Sequence, residues 1–173
     1  MRVLIISDTH GNLPMDPRSV AFDAMLHAGD IGDRSFYARL AGIAGEREFR
    51  TVCGNTDFAL ADYLPVTQTF GLGGMNFFLV HNLTSPHRMI PANAEIIGRF
   101  KPRFVVFGHT HKAFVEQRDG VIFINPGTFG KEGLDDGRRS YAILETCGDG
   151  CSVSVVDLDT NEVFVRRDFE LDC

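Results

Sequence analysis

The sequence predicts an α/β (α+β) fold in which two mixed β-sheets pack together and are flanked by helices. Two observations set the architecture. The first half of the chain alternates apolar, strand-like runs with helical segments. The second half is mainly alternating polar and apolar runs joined by turn signals, the pattern of antiparallel strands with one solvated face. A third observation locates the chemistry. Asp8-Thr9-His10, Gly29-Asp30, Gly54-Asn55 and Gly108-His109-Thr110-His111 each follow an apolar run, and strands that end on one edge of a sheet deliver their loops to one place.

The elements follow in order. Residues 2–7 are a β-branched and leucine run of the kind covered on both faces, broken at Asp8. Pro14 and Pro17 leave little room for a crossover helix in residues 12–22, so a short turn at most is expected there. Residues 24–28 form the second strand, and residues 35–44 form an amphipathic helix with Phe36, Leu40 and Ile43 inward. Residues 49–53 are a third strand ending at Gly54-Asn55-Thr56-Asp57, followed by a helical turn over 58–63 that Pro65 stops. Residues 66–70 and 75–80 flank Gly71-Leu72-Gly73-Gly74 as a hairpin that delivers His81 and Asn82. A helix over 92–101 and a strand over 103–107 lead to Gly108 and His109. Residues 113–117 and 121–124 pair about Asp119-Gly120, and the chain leaves through Asn125-Pro126-Gly127-Thr128. Residues 129–139, glycine-rich and charged, read as an exposed loop bordering a substrate cleft. Residues 140–146, 152–157 and 162–168 complete the antiparallel part.

A length of 173 residues suits one well-buried domain, 1–173, and 44% hydrophobic with 23% charged residues is ordinary globular composition. A net charge of -6 weighs against nucleic acid and against anionic membranes as partners. Near the start the apolar stretch, Val3-Leu4-Ile5-Ile6, is only four residues long before Ser7 and Asp8, far short of a signal segment or a membrane span. Cys53, Cys147, Cys151 and Cys173 lack the density of a disulfide framework. Cytoplasmic residence is the expectation.

Asp8 and His10, two apart just past a strand, can point into one cavity and bind one cation. Asp30 comes from a neighbouring strand end, and a carboxylate can bridge two metals through its two oxygens. Asn55 offers an amide oxygen, His109 and His111 offer two imidazoles from one turn, and His81 completes the set. Mixed nitrogen and oxygen ligation without thiolate suits Mn, Fe, Zn, Co or Ni rather than Ca. Two divalent metal ions about 3.5–4 Å apart clamp the attacking and leaving oxygens of a phosphoryl group, so phosphoester hydrolysis is the chemistry implied.

At these residues the chain resembles the calcineurin-like metallophosphoesterase superfamily, whose pattern is Asp-x-His, Gly-Asp, Gly-Asn, a later His and Gly-His-x-His. The resemblance spans residues 2–128. The short length, Asn55-Thr56-Asp57 and Asn125-Pro126-Gly127-Thr128 are most similar to its small YfcE-type phosphodiesterase branch. The resemblance implies a four-layer αββα sandwich, with Asp8, His10 and His111 on one metal, Asn55, His81 and His109 on the other, and Asp30 on both. These seven residues would be both metal-binding and catalytic. Mn is the first expectation for the cofactor and a small phosphodiester for the substrate, with phosphomonoesters as a second class. The implied mechanism is in-line attack of a metal-bound hydroxide, with no protein nucleophile.

The chain departs from the family pattern in three places. Thr56 stands where many members have a histidine that protonates the leaving group, and threonine is no acid near neutral pH. Val80-His81-Asn82 replaces the more usual Gly-His or His-Gly. The short 12–22 segment leaves one sheet face thinly covered, which favours a homo-oligomer. Two other functions compete with hydrolysis of small diesters. One is a non-catalytic scaffold using the same fold for protein partners, as a retromer subunit similar to this branch does; the other is a nuclease.

Several residues have plainer readings. His27, inside a strand, is a hydrogen-bonded core histidine or supports a ligand, and His87 is an exposed loop residue. Asp57 orients the Asn55 loop, and Asp33 caps the helix that follows it. Asn125 to Thr128 is a turn or a contact to the site. Arg138 and Arg139 belong to a solvated loop, and Cys53 is a small core residue. Cys147-Gly148-Asp149-Gly150-Cys151 is a hairpin turn rather than a metal knuckle.

Overall fold

The computed structural model describes residues 1–130 and 138–171. Its first sheet contains β1 (Arg2–Ile6), β2 (Ala24–His27), β3 (Glu48–Thr51), β9 (Ser140–Cys147), β10 (Gly150–Asp157) and β11 (Val163–Glu170), in the order β11-β10-β9-β1-β2-β3. Its second sheet contains β4 (Thr67–Leu72), β5 (Met75–Val80), β6 (Phe104–Val106), β7 (Ala113–Arg118) and β8 (Val121–Pro126), in the order β4-β5-β6-β8-β7. Helix α1 (Arg34–Ala44) follows β2 and helix α2 (Pro91–Phe100) follows β5.

Side-chain alternation along the strands divides the interior into three apolar clusters. Val3 and Ile5 of β1, Phe77 and Leu79 of β5, and Phe104 and Val106 of β6 meet between the sheets. Leu4 and Ile6 face the other way and pack with Phe36, Leu40 and Ala44 of α1. Phe78, Val80 and Val105 likewise pack against Ile96 and Ile97 of α2. Two sheets between two helical layers give the expected αββα sandwich. Asp33 caps α1 as predicted, its Oδ1 accepting from the Phe36 N–H at 2.8 Å.

Parallel pairing positions the site. β1, β2 and β3 are mutually parallel, and so are β5, β6 and β8. Their C-terminal ends therefore emit the loops that carry Asp8, Asp30, Asn55, His81, His109 and Thr128 at one edge.

Local departures have physical causes. The third strand stops at Thr51, because the Cys53 N–H bonds the Pro65 carbonyl and pulls the chain away from β2. Cys53 is accordingly half-buried rather than deep in the core. Residues 12–22 contain only a short 3-10 turn, Pro17–Ser19, but Leu13, Met15 and Val20 pack onto the α1-side cluster, so an irregular loop covers that face. Asn125 and Pro126 lie within β8 instead of after it.

The expected exposed loop begins differently. Phe129 is fully buried on the Leu4–Ile6 face and Gly130 is buried beside it, their N–H groups bonding the Ser7 and Asp8 carbonyls. A large aromatic ring beside a sheet face has more to gain from burial than from solvent. The middle of that segment, residues 131–137, lies outside the described residues. Arg139 is paired with Asp159, and the Arg138 guanidinium sits 4.9 Å from the Phe164 ring centroid, so neither is a free solvated charge. Gly148 and Asp149 make the two-residue turn between β9 and β10, as the hairpin reading of the cysteine pair required.

Candidate metal centre

All seven predicted ligands come together. Asp8 follows β1, Asp30 follows β2, Asn55 follows β3, His81 follows β5, and His109 and His111 follow β6. Asp8, Asp30 and His81 are almost wholly buried, whereas Asn55 and His109 lie at the open rim. One group of potential ligand atoms joins Asp8, His10 and His111, and a second joins Asp8, Asp30 and His81, each within 4.8 Å. Asn55 Oδ1 lies 2.9 Å from His81 Nε2 and 2.8 Å from His109 Nδ1.

Five of the seven take a left-handed backbone: Asp8 (φ 54°), His10 (46°), Asp30 (55°), His109 (67°) and His111 (56°). Side chains other than glycine avoid this region, although Asp and His enter it more readily than most. Its concentration here is strain held at a site by the surrounding structure. Hydrogen bonds between loops supply the hold. The His10 N–H donates to the Asp30 carbonyl at 3.0 Å and the His109 N–H donates to Asp8 Oδ2 at 3.2 Å.

Close backbone approach is equally strict. A Cβ on Gly54 would lie 2.1 Å from both the backbone nitrogen and Oδ1 of Asp30, and one on Gly29 would lie 2.7 Å from His81 Nδ1. Glycine at these two positions is a packing requirement of the ligand cluster.

The electrostatics favour ionised carboxylate and directed imidazole. Burial would raise the pKa of Asp30, but the His81 ring and the Thr56 N–H, 2.8 Å from Oδ1, hold it well below the usual carboxylate range. His81 is raised despite its burial because Asp30 and Asp8 face it, and His109 is lowered by burial and by His81. His81 Nδ1 lies 2.7 Å from the Ala28 carbonyl, which can only accept, so Nδ1 carries a proton and Nε2 is the nitrogen turned toward the ligand cluster.

Five residues outside the predicted set build the scaffold around it. The Gly29 N–H donates to His27 Nδ1 at 3.2 Å, so His27 donates from Nε2 to Thr9 Oγ1 at 2.9 Å, and Thr9 passes a hydrogen bond to the Ile31 carbonyl at 3.0 Å. Full burial pushes the His27 pKa down to about 3, which keeps that chain of bonds in one tautomer. Asn125 Nδ2 donates to the Gly108 carbonyl at 2.8 Å, and Thr128 Oγ1 donates to the Asp8 carbonyl at 3.1 Å. The 125–128 turn therefore does contact the site, through backbone carbonyls. Asp57 spans two loops, accepting from Gly32 N–H and Gly54 N–H at 2.8 Å each, which orients the Asn55 loop as expected. His87 is exposed and faces Glu116 and Arg118.

The donor set tests for metal directly. Among the described residues, Asp8 Oδ1 and His10 Nε2 are buried side-chain atoms with no hydrogen-bond partner. His111 Nε2 lies 3.1 Å from Asp8 Oδ1, and His10 Nε2 lies 3.8 Å from Asp30 Oδ2, so imidazole and carboxylate face each other across the cluster. Such orphaned atoms are rare in folded proteins unless an ion or water takes them, and an oxygen–nitrogen set of this kind fits a divalent transition metal.

The family model for the calcineurin-like phosphoesterase superfamily domain matches residues 1–149. The chain belongs to that superfamily. A phosphoesterase relative in Bacillus subtilis, the probable metallophosphoesterase YsnB, is 32% identical over 178 residues, covering 94% of this chain and 95% of that protein. Two solved structures show the same fold. A predicted phosphoesterase from Streptococcus pneumoniae superposes with a TM-score of 0.76 at 20% identity, covering 98% of this chain and 97% of the other. Wild-type Vps29 from Entamoeba histolytica, solved in complex with Zn2+, superposes with a TM-score of 0.75 at 21% identity, covering 99% and 100%. As a phosphoesterase-family member the chain carries a candidate site for divalent metal formed by its own Asp and His residues.

Proposed function

We propose that the protein is a metal-dependent phosphodiesterase acting on small phosphodiesters, with two divalent cations, Mn foremost, bound by Asp8, His10, Asp30, Asn55, His81, His109 and His111. The observation that carries this reading is the convergence of those side chains around two buried atoms that make no hydrogen bond, Asp8 Oδ1 and His10 Nε2. Asp8, His10 and His111 would hold one ion and Asn55, His81 and His109 the other, with Asp30 between them. Cations bound there supply a nucleophilic water and neutralise phosphoryl charge.

The protein's own groups do the positioning. The Ala28 carbonyl aims His81, the Thr56 N–H helps keep Asp30 ionised, and the His109 N–H fixes the Asp8 carboxylate. Thr56 supplies no proton to a departing oxygen near neutral pH, so substrates with good leaving groups are preferred. As part of the same reading, the chain works as one domain, 1–173, in the cytoplasm. Cys53, Cys147 and Cys151 are free thiols, which suits a reducing compartment. No helix among the described residues is long and apolar enough to cross a membrane.

The test is exhaustive chelation of the purified protein followed by titration with Mn2+, assayed against aryl diesters, alkyl diesters and cyclic nucleotides. Turnover that vanishes with chelation and returns with Mn2+, fastest on aryl diesters, is expected. Hydrolysis that survives removal of metal overturns the reading. Two tightly bound metals with no turnover of any phosphoester would point instead to the scaffold role, and preferential cleavage of DNA to a nuclease.

A further inference from the structure

Among the described residues, three of the five large hydrophobic side chains standing in solvent, Phe58, Tyr63 and Val66, lie on the one segment that follows Asn55. Phe58 is the most exposed of them, at 86%. Its ring supports nothing in the fold, yet its backbone is held firmly. The Phe58 N–H donates to the Thr56 carbonyl at 3.0 Å, and Arg34 Nε donates to the neighbouring Ala59 carbonyl at 2.9 Å. The same guanidinium bonds the Tyr63 hydroxyl and lies 3.9 Å from the Tyr63 ring centroid. Thr56, whose N–H reaches Asp30 Oδ1 at 2.8 Å, is two residues away, so the Cα of Phe58 lies within about 7 Å of it. A rigid base at the rim of the metal centre thus carries a free aromatic face.

We infer that Phe58 is a specificity-determining residue whose ring stacks on an aromatic leaving group, and that the favoured substrates are aryl phosphodiesters. The inference rests on the phosphodiesterase reading and narrows its substrate class. The second observation behind it is Thr56. The resemblance places the departing oxygen at this position, where threonine supplies no proton near neutral pH, and a phenol-type oxygen with a pKa of about 10 leaves unprotonated far more easily than an alkoxide. The missing acid and the exposed ring select the same chemistry, that of a phenol esterified to phosphate, as in a tyrosyl phosphodiester.

The test uses the full chain loaded with Mn2+ and two diesters of matched leaving-group acidity, one aryl and one fluoroalkyl. Phe58→Ala is expected to lower the aryl-over-fluoroalkyl ratio of kcat/KM about tenfold, the size of one aromatic stack, while Phe58→Tyr keeps it. Calorimetric binding of phenylphosphonate against methylphosphonate gives a readout free of turnover. The aromatic preference should be present in the parent protein and absent in Phe58→Ala. If both ratios are unchanged in Phe58→Ala, or if the parent protein shows no aromatic preference, the role of Phe58 is refuted even while diesterase activity stands. If the phosphonates show the Phe58-dependent preference but neither diester turns over, the stacking role stands and the phosphodiesterase reading fails.

Discussion

His81 Nδ1 donates to the carbonyl of Ala28 at 2.7 Å, and that single bond decides which ring nitrogen is turned toward the ligand cluster. Nε2 consequently faces Asn55 Oδ1 at 2.9 Å and Asp30 Oδ2 at 3.5 Å. His81→Phe retains most of the buried ring volume and removes the ligand atom. Mn2+ affinity, measured by calorimetry, should fall by more than the about 10–100-fold that loss of a supporting partner costs, with cooperative unfolding retained. Unchanged affinity and stoichiometry would remove His81 from the ligand set.

Gly54→Ala tests how tightly the Asn55 loop and Asp30 are packed. The new methyl would sit 2.1 Å from Asp30 N and Oδ1, both anchored in the loop after β2. Relief requires moving one loop, which also stretches the Asp57 bonds to Gly54 and Gly32. A loss of about 2–4 kcal/mol in urea unfolding is expected, together with weakened metal binding. A variant as stable as the parent would show that the two loops are free to separate.

Much of this site was readable from sequence because parallel strands emit their loops on one edge, so Asp8, Asp30, Asn55 and His109 had to meet once the strands before them were recognised. The left-handed backbone at Asp8, His10, Asp30, His109 and His111 was not readable, since none of these residues announces a positive φ as glycine does. Thr9 was equally hidden, whereas His27 is the hydrogen-bonded core histidine that its place in a strand led one to expect. Their hydrogen bond joins the loop after β1 to the last residue of β2, 18 residues on, and only the register between β1 and β2 brings them together. Phe129 was misplaced because the charged, glycine-rich stretch after it dominates the local composition, while its own burial is decided by the face of β1.

His27 makes stability depend on pH with a definite sign. Its pKa is about 6.5 unfolded and about 3 when buried, so between those values the unfolded chain binds a proton that the native protein refuses. Its contribution is therefore fully present above about pH 6.5 and is lost as pH falls toward 3, by at most about 1.4 kcal/mol per pH unit. In His27→Asn the amide oxygen can still accept from Gly29, but the bond to Thr9 is gone. Urea unfolding from pH 4 to 8 should show the variant about 1–3 kcal/mol less stable at pH 7 and shallower in its acid slope. Parallel pH curves for the two proteins would contradict the buried neutral imidazole.

Asp8 and Asp30 confront each other as buried carboxylates within one 4.8 Å ligand cluster, and Asp8 Oδ1 accepts no hydrogen bond. Without cations, that pairing costs stability through like-charge repulsion and an unsatisfied acceptor. Asp8→Asn removes the charge, keeps the oxygen that accepts from the His109 N–H, and turns the orphaned acceptor into an amide donor facing His111 Nε2, 3.1 Å away. The metal-free variant should therefore be the more stable protein, by about 1 kcal/mol, a rise of about 2–4 °C in Tm for a chain of this size. With Mn2+ at about 100 times the parent's Kd the order should reverse, because only the parent gains about 2.7 kcal/mol from binding. Calorimetric melts of both proteins, chelated and Mn2+-loaded, decide it. A variant less stable in both conditions would mean that the carboxylate serves the fold rather than a metal.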